Sequence, residues 1–267
     1  MKKSFPVILA LLALLPLAIA QTPTPAASAG AAPAAAPPAP QKVDASAAIE
    51  KNDPSGKFRW MHASFLARAK SPMDVLFLGD SITEGWTKAP HVWDHFYGTL
   101  RPANFGIGGD QTQHVIWRIE NGELDGTHPK VVVLMIGTNN TGNHTAEEIT
   151  AADQKIVSLI RAKIPGTKVL LLGIFPRGAR KDKDGVITET ALADATKRTA
   201  VINAVNAELA KLDDGVNVRF LDIAPVFYGQ DGKIPFALMP DQLHPNAAGY
   251  QLWADAMKPL LEEMMQP

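Results

Sequence analysis

Short unbroken runs of Val, Ile and Leu alternate along this chain with longer stretches in which apolar residues recur every three or four positions. The runs lie at 75–78, 131–136, 168–175 and 218–221, with a weaker one at 103–105. Runs without polar alternation suit strands buried on both faces, as in a parallel sheet covered by helices. Within 146–164 the positions Ile149, Ile156, Leu159, Ile160 and Ile164 share one helical face, as do Val201, Val205 and Leu209 within 191–212. A last stripe runs through Tyr250, Trp253, Met257, Leu260 and Met264. This alternation predicts an α/β fold: a three-layer α/β/α domain with a five-stranded, mainly parallel sheet. In such domains ligands sit beyond the carboxyl ends of the strands.

The first forty residues stand outside that pattern. Residues 1–20 hold Lys2 and Lys3, an apolar run from Phe5 to Ile19, and Ala18-Ile19-Ala20 before Gln21. A basic start, a short apolar stretch and small residues at a cleavage point predict a signal peptide. Pro6 and Pro16 interrupt the run, which is short for a bilayer span, and an uncleaved anchor is the alternative. Cleavage after Ala20 would place the protein in the periplasm or outside the cell, with no transmembrane segment left. Residues 21–44 read as an Ala/Pro-rich disordered linker, having few large side chains to bury. Residues 45–267 suit one globular domain.

Charge and cysteine content narrow the chemistry. The formal net charge is −1, and it becomes −3 once Lys2 and Lys3 are removed with the signal. That balance offers no attraction for nucleic acid. The chain has no cysteine, which excludes disulfides, thiolate metal sites and a Cys nucleophile. His91 and His95 share a helical spacing with Asp94 between them, but two His do not make a metal ligand set. They read as exposed positions beside Trp93 and Phe96, and Trp117, Trp253 and Met257 read as core.

Four short blocks hold polar residues that the α/β pattern does not need. They are Gly79-Asp80-Ser81-Ile82-Thr83, Phe105-Gly106-Ile107-Gly108-Gly109-Asp110, Gly137-Thr138-Asn139-Asn140 and Asp241-Gln242-Leu243-His244-Pro245. Singly, each has a plainer reading. Ser81 or Asp80 can cap a helix, Gly108-Gly109 and Asn139-Asn140 can form turns, and Asp241 and His244 can mark a helix start. Three blocks directly follow a predicted strand, and the fourth precedes the last helix, whose start Pro245 marks. The topology therefore gathers all four at one sheet edge. There the Ser81 hydroxyl can meet His244, whose imidazole Asp241 can orient from three residues away. The Ser81 N–H, the Gly109 N–H and the Asn139 amide can form an oxyanion hole. Asp80 competes as the acid but adjoins Ser81, which favours a loop-holding role. Asp80, Asp110 and Arg177 are candidates for lining the pocket, and the last two could instead be surface ion-pair members of little weight.

These blocks resemble those of the SGNH (GDSL-type) hydrolases, serine esterases and lipases with a flavodoxin-like sheet. The Ser, Gly, Asn and His that name that family fall on Ser81, Gly109, Asn139 and His244, with Asp241 as triad acid. The run from Asn104 to Asp110, Val115-Ile116-Trp117-Arg118 and Asn121-Gly122-Glu123-Leu124 are similar to one branch in particular. That branch holds the catalytic alpha subunits of intracellular platelet-activating-factor acetylhydrolase. Gly137-Thr138-Asn139-Asn140, Thr145-Ala146-Glu147-Glu148 and Pro176-Arg177-Gly178 continue the similarity, which spans the domain from about residue 60 onward. The resemblance implies ester hydrolysis through an acyl-enzyme on Ser81, with no cofactor and no metal. It also implies a short acyl group, acetyl first, and a homodimer. An export signal departs from those cytosolic subunits, and Glu84-Gly85-Trp86 after block one is closer to bacterial esterases of the wider family. A carbohydrate O-acetyl esterase acting on glycans, or a lysophospholipase or arylesterase, is the alternative among enzymes. Outside enzymes, the alternative is a non-catalytic binding module on the same scaffold.

Overall fold

The computed structural model describes residues 42–266. The expected signal peptide and residues 21–41 of the expected linker lie outside the described residues. Five strands, β1 (Val75–Gly79), β2 (Ala103–Gly106), β3 (Val131–Met135), β4 (Lys168–Leu172) and β5 (Val218–Leu221), form one sheet in the order β2-β1-β3-β4-β5. Every neighbouring pair is parallel. Its helices are α1 (Lys57–Arg68), α2 (Ser81–Glu84), α3 (Pro90–Tyr97), α4 (Thr112–Glu120), α5 (Ala146–Lys163), α6 (Glu189–Leu209) and α7 (Ala247–Met265).

Each central strand splits its side chains between two cores, which is why those strands read as continuous apolar runs. Leu76, Leu78, Val132, Leu134, Val169 and Leu171 pack on one side with Phe65 of α1, Ile116 of α4, Ile156 of α5 and Val205 of α6. Val75, Phe77, Val131, Val133, Leu170 and Leu172 pack on the other with Val92 and Tyr97 of α3 and Tyr250 and Trp253 of α7. The result is the three-layer architecture that the periodicity predicts. The sheet order reverses direction at β1, between β2 and β3, and a crevice opens beyond the strand ends at such a switch point.

Several boundaries differ from the sequence reading for physical reasons. The run at 168–175 leaves the sheet after Leu172, yet Phe175 stays buried with its ring 4.7 Å from Phe227 and 4.8 Å from Trp253. In α7 Leu261, not Leu260, is fully buried, because it lies one turn beyond Met257 on the same face. That helix begins at Ala247, where the Asn246 side chain accepts from the Gly249 N–H at 3.1 Å, so Pro245 stands before the cap. Helix α4 has too few turns to show clear periodicity. The domain also starts before residue 45. The Val43 carbonyl accepts from His144 Nε2 at 2.8 Å, and Lys42 pairs with Glu148 at 2.5 Å. The last three residues assigned to the linker are therefore held on the domain.

Gly106 ends β2 directly against the turn that begins α2. A Cβ there would meet the Glu84 nitrogen, the Thr83 carbonyl carbon (2.7 Å) and the Asp80 carbonyl oxygen (2.8 Å). These are backbone atoms, which cannot rotate aside. Gly106→Ala should therefore destabilise the domain by about 1–3 kcal/mol, read as a lower urea-unfolding midpoint. A midpoint equal to wild type would contradict this packing.

Candidate active site

The loops after β1, β2, β3 and β4 and the turn before α7 meet at the carboxyl edge of the sheet. Asp80 caps α2, its Oδ1 accepting from the Ile82 N–H at 2.9 Å, and this sets Ser81 at the first helical position. From α7, Tyr250 holds the same turn by donating its hydroxyl to the Ile82 carbonyl at 2.6 Å. The Ser81 hydroxyl lies 2.8 Å from His244 Nε2, across a sequence separation of 163 residues. His244 Nδ1 lies 2.7 Å from Asp241 Oδ2. With Nδ1 facing a carboxylate, the neutral ring carries its proton there and leaves Nε2 to accept from serine.

The turn that carries this pair is tightly fixed. Asp241 Oδ1 accepts from the backbone N–H groups of Leu243 (3.1 Å) and His244 (2.8 Å). Gln242 between them takes a positive φ of 60°, and its amide donates to the Ile234 and Met239 carbonyls at 3.1 and 3.2 Å. Burial pushes the Asp241 carboxyl up, but the His244 backbone and imidazole, its positive form and Arg180 together hold it well below the usual carboxylate range. Asp241 therefore stays ionised wherever the imidazole works.

The expected donors come from the loops after β1, β2 and β3. Gly109 follows β2 with a positive φ of 73°, a backbone that favours glycine. Among the described residues, neither its N–H nor that of Ser81 donates to another group. The Gly108 N–H is held by Glu84 Oε2 at 2.6 Å, and Lys57 pairs with the same Glu84 at 2.6 Å, which pins the loop to α2. Asn139 follows β3, and its Nδ2 donates to the Asp110 carbonyl at 2.8 Å and approaches Asp80 Oδ2 at 3.5 Å. Ser81, His244 and Asp241 are thus in hydrogen-bond contact, and Asn139 is held beside Asp80 and the Gly109-Asp110 loop.

Comparisons with known proteins agree with this geometry. The model of the GDSL-like lipase/acylhydrolase family matches residues 77–252. The chain belongs to the GDSL-like lipase/acylhydrolase family. It is a carboxylic ester hydrolase. Platelet-activating factor acetylhydrolase IB subunit alpha1 of Bos taurus is 38% identical over 224 residues, covering 83% of this chain and 90% of that one. Subunit alpha2 of Gallus gallus is 39% identical over 218 residues, covering 80% and 87%. Among solved structures, a GDSL-like lipase from Bacteroides thetaiotaomicron superposes with a TM-score of 0.57 at 21% identity, covering 78% of this chain and 98% of that one. An acetyl xylan esterase superposes with a TM-score of 0.51 at 21% identity, covering 70% and 98%. These two likenesses bear on the fold.

Of the three residues expected to line the pocket, two are corrected. Asp80 is 1% exposed and Asp110 is 0% exposed, so both lie under the site rather than on its wall. Asp110 faces inward because Arg118 Nε donates to its Oδ2 at 3.0 Å, with Lys51 at 3.5 Å from Oδ1. Arg177 is half-buried, and its Nη1 donates to the Thr138 carbonyl and hydroxyl at 3.2 and 3.3 Å. His91 and His95 are exposed on α3, as read from the sequence.

The sequence reading missed the buried residues that hold this edge. Arg118, fully buried on α4, donates to the carbonyls of Gly79 and Phe105, each at 3.2 Å, and pairs with Asp110 and Glu123. Glu123 also lies 3.2 Å from His62 Nδ1. One signal was available: an Arg set among Val115, Ile116 and Ile119 on a buried helix face needs carboxylate partners. Lys51 was also missed; it reaches the Gly108 carbonyl from the segment before α1.

Burial first, then the nearby Asp110 charge, raises Asp80 to about 7. An unfolded Asp80 would release its proton above about pH 4, whereas the folded one keeps it towards pH 7. Between those limits unfolding releases a proton, so this group makes stability fall as pH rises. Urea unfolding at pH 5 and pH 8 should therefore show a smaller loss across that range for Asp80→Asn than for wild type. Equal losses in the two proteins would remove Asp80 from the account.

Proposed function

We propose that the protein is an exported serine esterase that removes short acyl groups, acetyl first, through an acyl-enzyme on Ser81. The observation that carries this reading is the unbroken line Ser81 Oγ–His244 Nε2–His244 Nδ1–Asp241 Oδ2, at 2.8 and 2.7 Å. Ser81 Oγ attacks the ester carbonyl carbon while His244 Nε2 takes the hydroxyl proton. The carbonyl oxygen becomes an oxyanion facing the Ser81 and Gly109 N–H groups and Asn139 Nδ2. Collapse breaks the ester C–O bond, and His244 gives its proton to the departing alcohol. Water, deprotonated by the same imidazole, then cleaves the acyl-enzyme and frees the acid. Asp241 stabilises the imidazolium in both halves.

The short-acyl preference is supported by the similarity to acetylhydrolase subunits, and export by Lys2, Lys3, the apolar run and Ala18-Ile19-Ala20. A second reading, an O-acetyl esterase acting on glycans, is favoured by exposure of the acid–base pair. The side chains of His244 and Asp241 are 25% and 37% exposed, which leaves room for an acetyl group displayed on a bulky alcohol.

Ser81→Ala should bring p-nitrophenyl acetate hydrolysis down to background, a loss on the order of 10⁴-fold or more. Across acetate, butyrate and octanoate esters the acetate should turn over fastest; a maximum at octanoate would overturn the short-acyl reading. Release of acetate from acetylated xylan would favour the glycan reading over small esters. Asn139→Ala should lower kcat by about 10²–10³-fold while shifting the urea midpoint little. A mutant with full kcat would remove Asn139 from the oxyanion hole.

A further inference from the structure

Asp241 does not face the imidazole alone. Arg180, in the loop after β4, donates through Nη2 to Asp241 Oδ2 at 2.5 Å and through Nε to the Asp241 carbonyl at 3.1 Å. Oδ2 is the same oxygen that meets His244 Nδ1 at 2.7 Å. The loop touches the acid–base turn at a further point, where the Gly178 N–H donates to the Gln242 carbonyl at 2.8 Å. Lys181, next to Arg180, lies 4.4 Å from the centre of the Phe236 ring, which holds the loop against the segment leading to that turn. At its other end Arg177 donates to Thr138, beside Asn139. One five-residue stretch, 176–180, therefore connects the oxyanion side of the site to the acid–base side.

We propose that Arg180 is a positioning residue of the triad, which fixes the Asp241 carboxylate and sets the lower pH limit of activity by sharing its Oδ2 with the imidazole. This inference rests on the proposed roles of Ser81, His244 and Asp241. Each proton that arrives on His244 puts a second cation on an oxygen already paired with a guanidinium. Arg180 thereby competes with the imidazolium for the same oxygen, and its removal should strengthen the hold of Asp241 on the protonated ring. Other charged groups lie in the same region. Lys88, from the turn after α2, lines the same hollow as Asp241 and His244 together with Pro240, Pro245 and Asn246. Asp80 lies buried beneath Ser81, and Arg177 is turned to Thr138. Arg180 is the cation in contact with the carboxylate. A lysine could replace its charge but not its paired grip on carbonyl and carboxylate.

The test is kcat/KM for p-nitrophenyl acetate between about pH 5 and 8, measured on wild type, Arg180→Gln, Arg180→Lys and Ser81→Ala. Arg180→Gln should move the acid limb to higher pH by about half a unit, the modest size expected of a half-exposed pair. Its plateau kcat should fall several-fold with KM little changed, and Arg180→Lys should restore the limb but not the full kcat. Salt at about 1 M should move the wild-type limb towards that of Arg180→Gln by screening the pair. A lower plateau in Arg180→Gln with an unmoved limb would overturn the proposal and leave a merely structural contact. A change in KM alone would also overturn it, and place Arg180 on the substrate instead. Ser81→Ala separates the two levels of inference. If it is inactive while Arg180→Gln keeps the wild-type limb, only the role of Arg180 fails; if it is active, the serine mechanism itself fails.

Discussion

A fully buried guanidinium fixes where the sheet ends and where the site begins. Arg118 must satisfy its donors inside the protein, because an unpaired buried charge costs several kcal/mol. It does so on the last carbonyl of β1 at Gly79, on Phe105 of β2, and on the carboxylates of Asp110 and Glu123. Two of those partners adjoin candidate site residues, since Gly79 precedes Asp80-Ser81 and Asp110 follows Gly109. Moving Arg118 would shift the nucleophile turn and the glycine loop together. The relative placement of Ser81 and Gly109 is thus a consequence of one desolvated ion cluster, with burial pulling Arg118 down and Glu123 and Asp110 outweighing it.

From that anchor the site is completed by topology. The sheet reverses order at β1, so the loops after β1, β2 and β3 open side by side. The turn before α7 returns to them from the far end of the chain. Much of this was legible in the sequence, because each relevant signal was local. Continuous apolar runs gave the strands, steps of three and four gave α5, α6 and α7, and three polar blocks stood at strand ends with a fourth before α7. Ser81, Gly109, Asn139, His244 and Asp241 fall in those blocks; the structure puts Ser81, His244 and Asp241 in contact and joins Asn139 to the Asp110 that follows Gly109.

What was not legible is the set of contacts between segments distant in sequence. Asp110 looked like a pocket residue because its neighbours in sequence are Gly108 and Gly109, whereas its partner Arg118 lies two turns into α4. Arg180 sits in a loop rich in basic residues, where nothing local marks it from Lys181 or Lys183. Only the folded turn places Asp241 against it. The segment before α1 gave no periodic signal either, yet the Ala45 carbonyl accepts from the Thr112 hydroxyl at 2.9 Å and Lys51 reaches Asp110. In each case the second partner is fixed by tertiary packing, which spacing along one chain does not encode.

The two aspartates that could have served as the acid show how surroundings divide the work. Asp241 lies on the open side, where two backbone N–H groups, the imidazole and Arg180 keep it ionised against partial burial. Asp80 lies beneath Asn139, where burial and Asp110 hold its carboxyl protonated towards pH 7. That difference suits the proposed chemistry. Negative charge on Asp241 is wanted, because an imidazolium forms beside it. Negative charge on Asp80 would oppose an oxyanion gathering at Asn139, and a low dielectric would magnify the repulsion. Below about pH 7 the protonated carboxyl leaves the proposed Ser81, Gly109 and Asn139 donors unopposed. Below about pH 7 the site therefore holds an ionised acid at one end and a protonated one at the other.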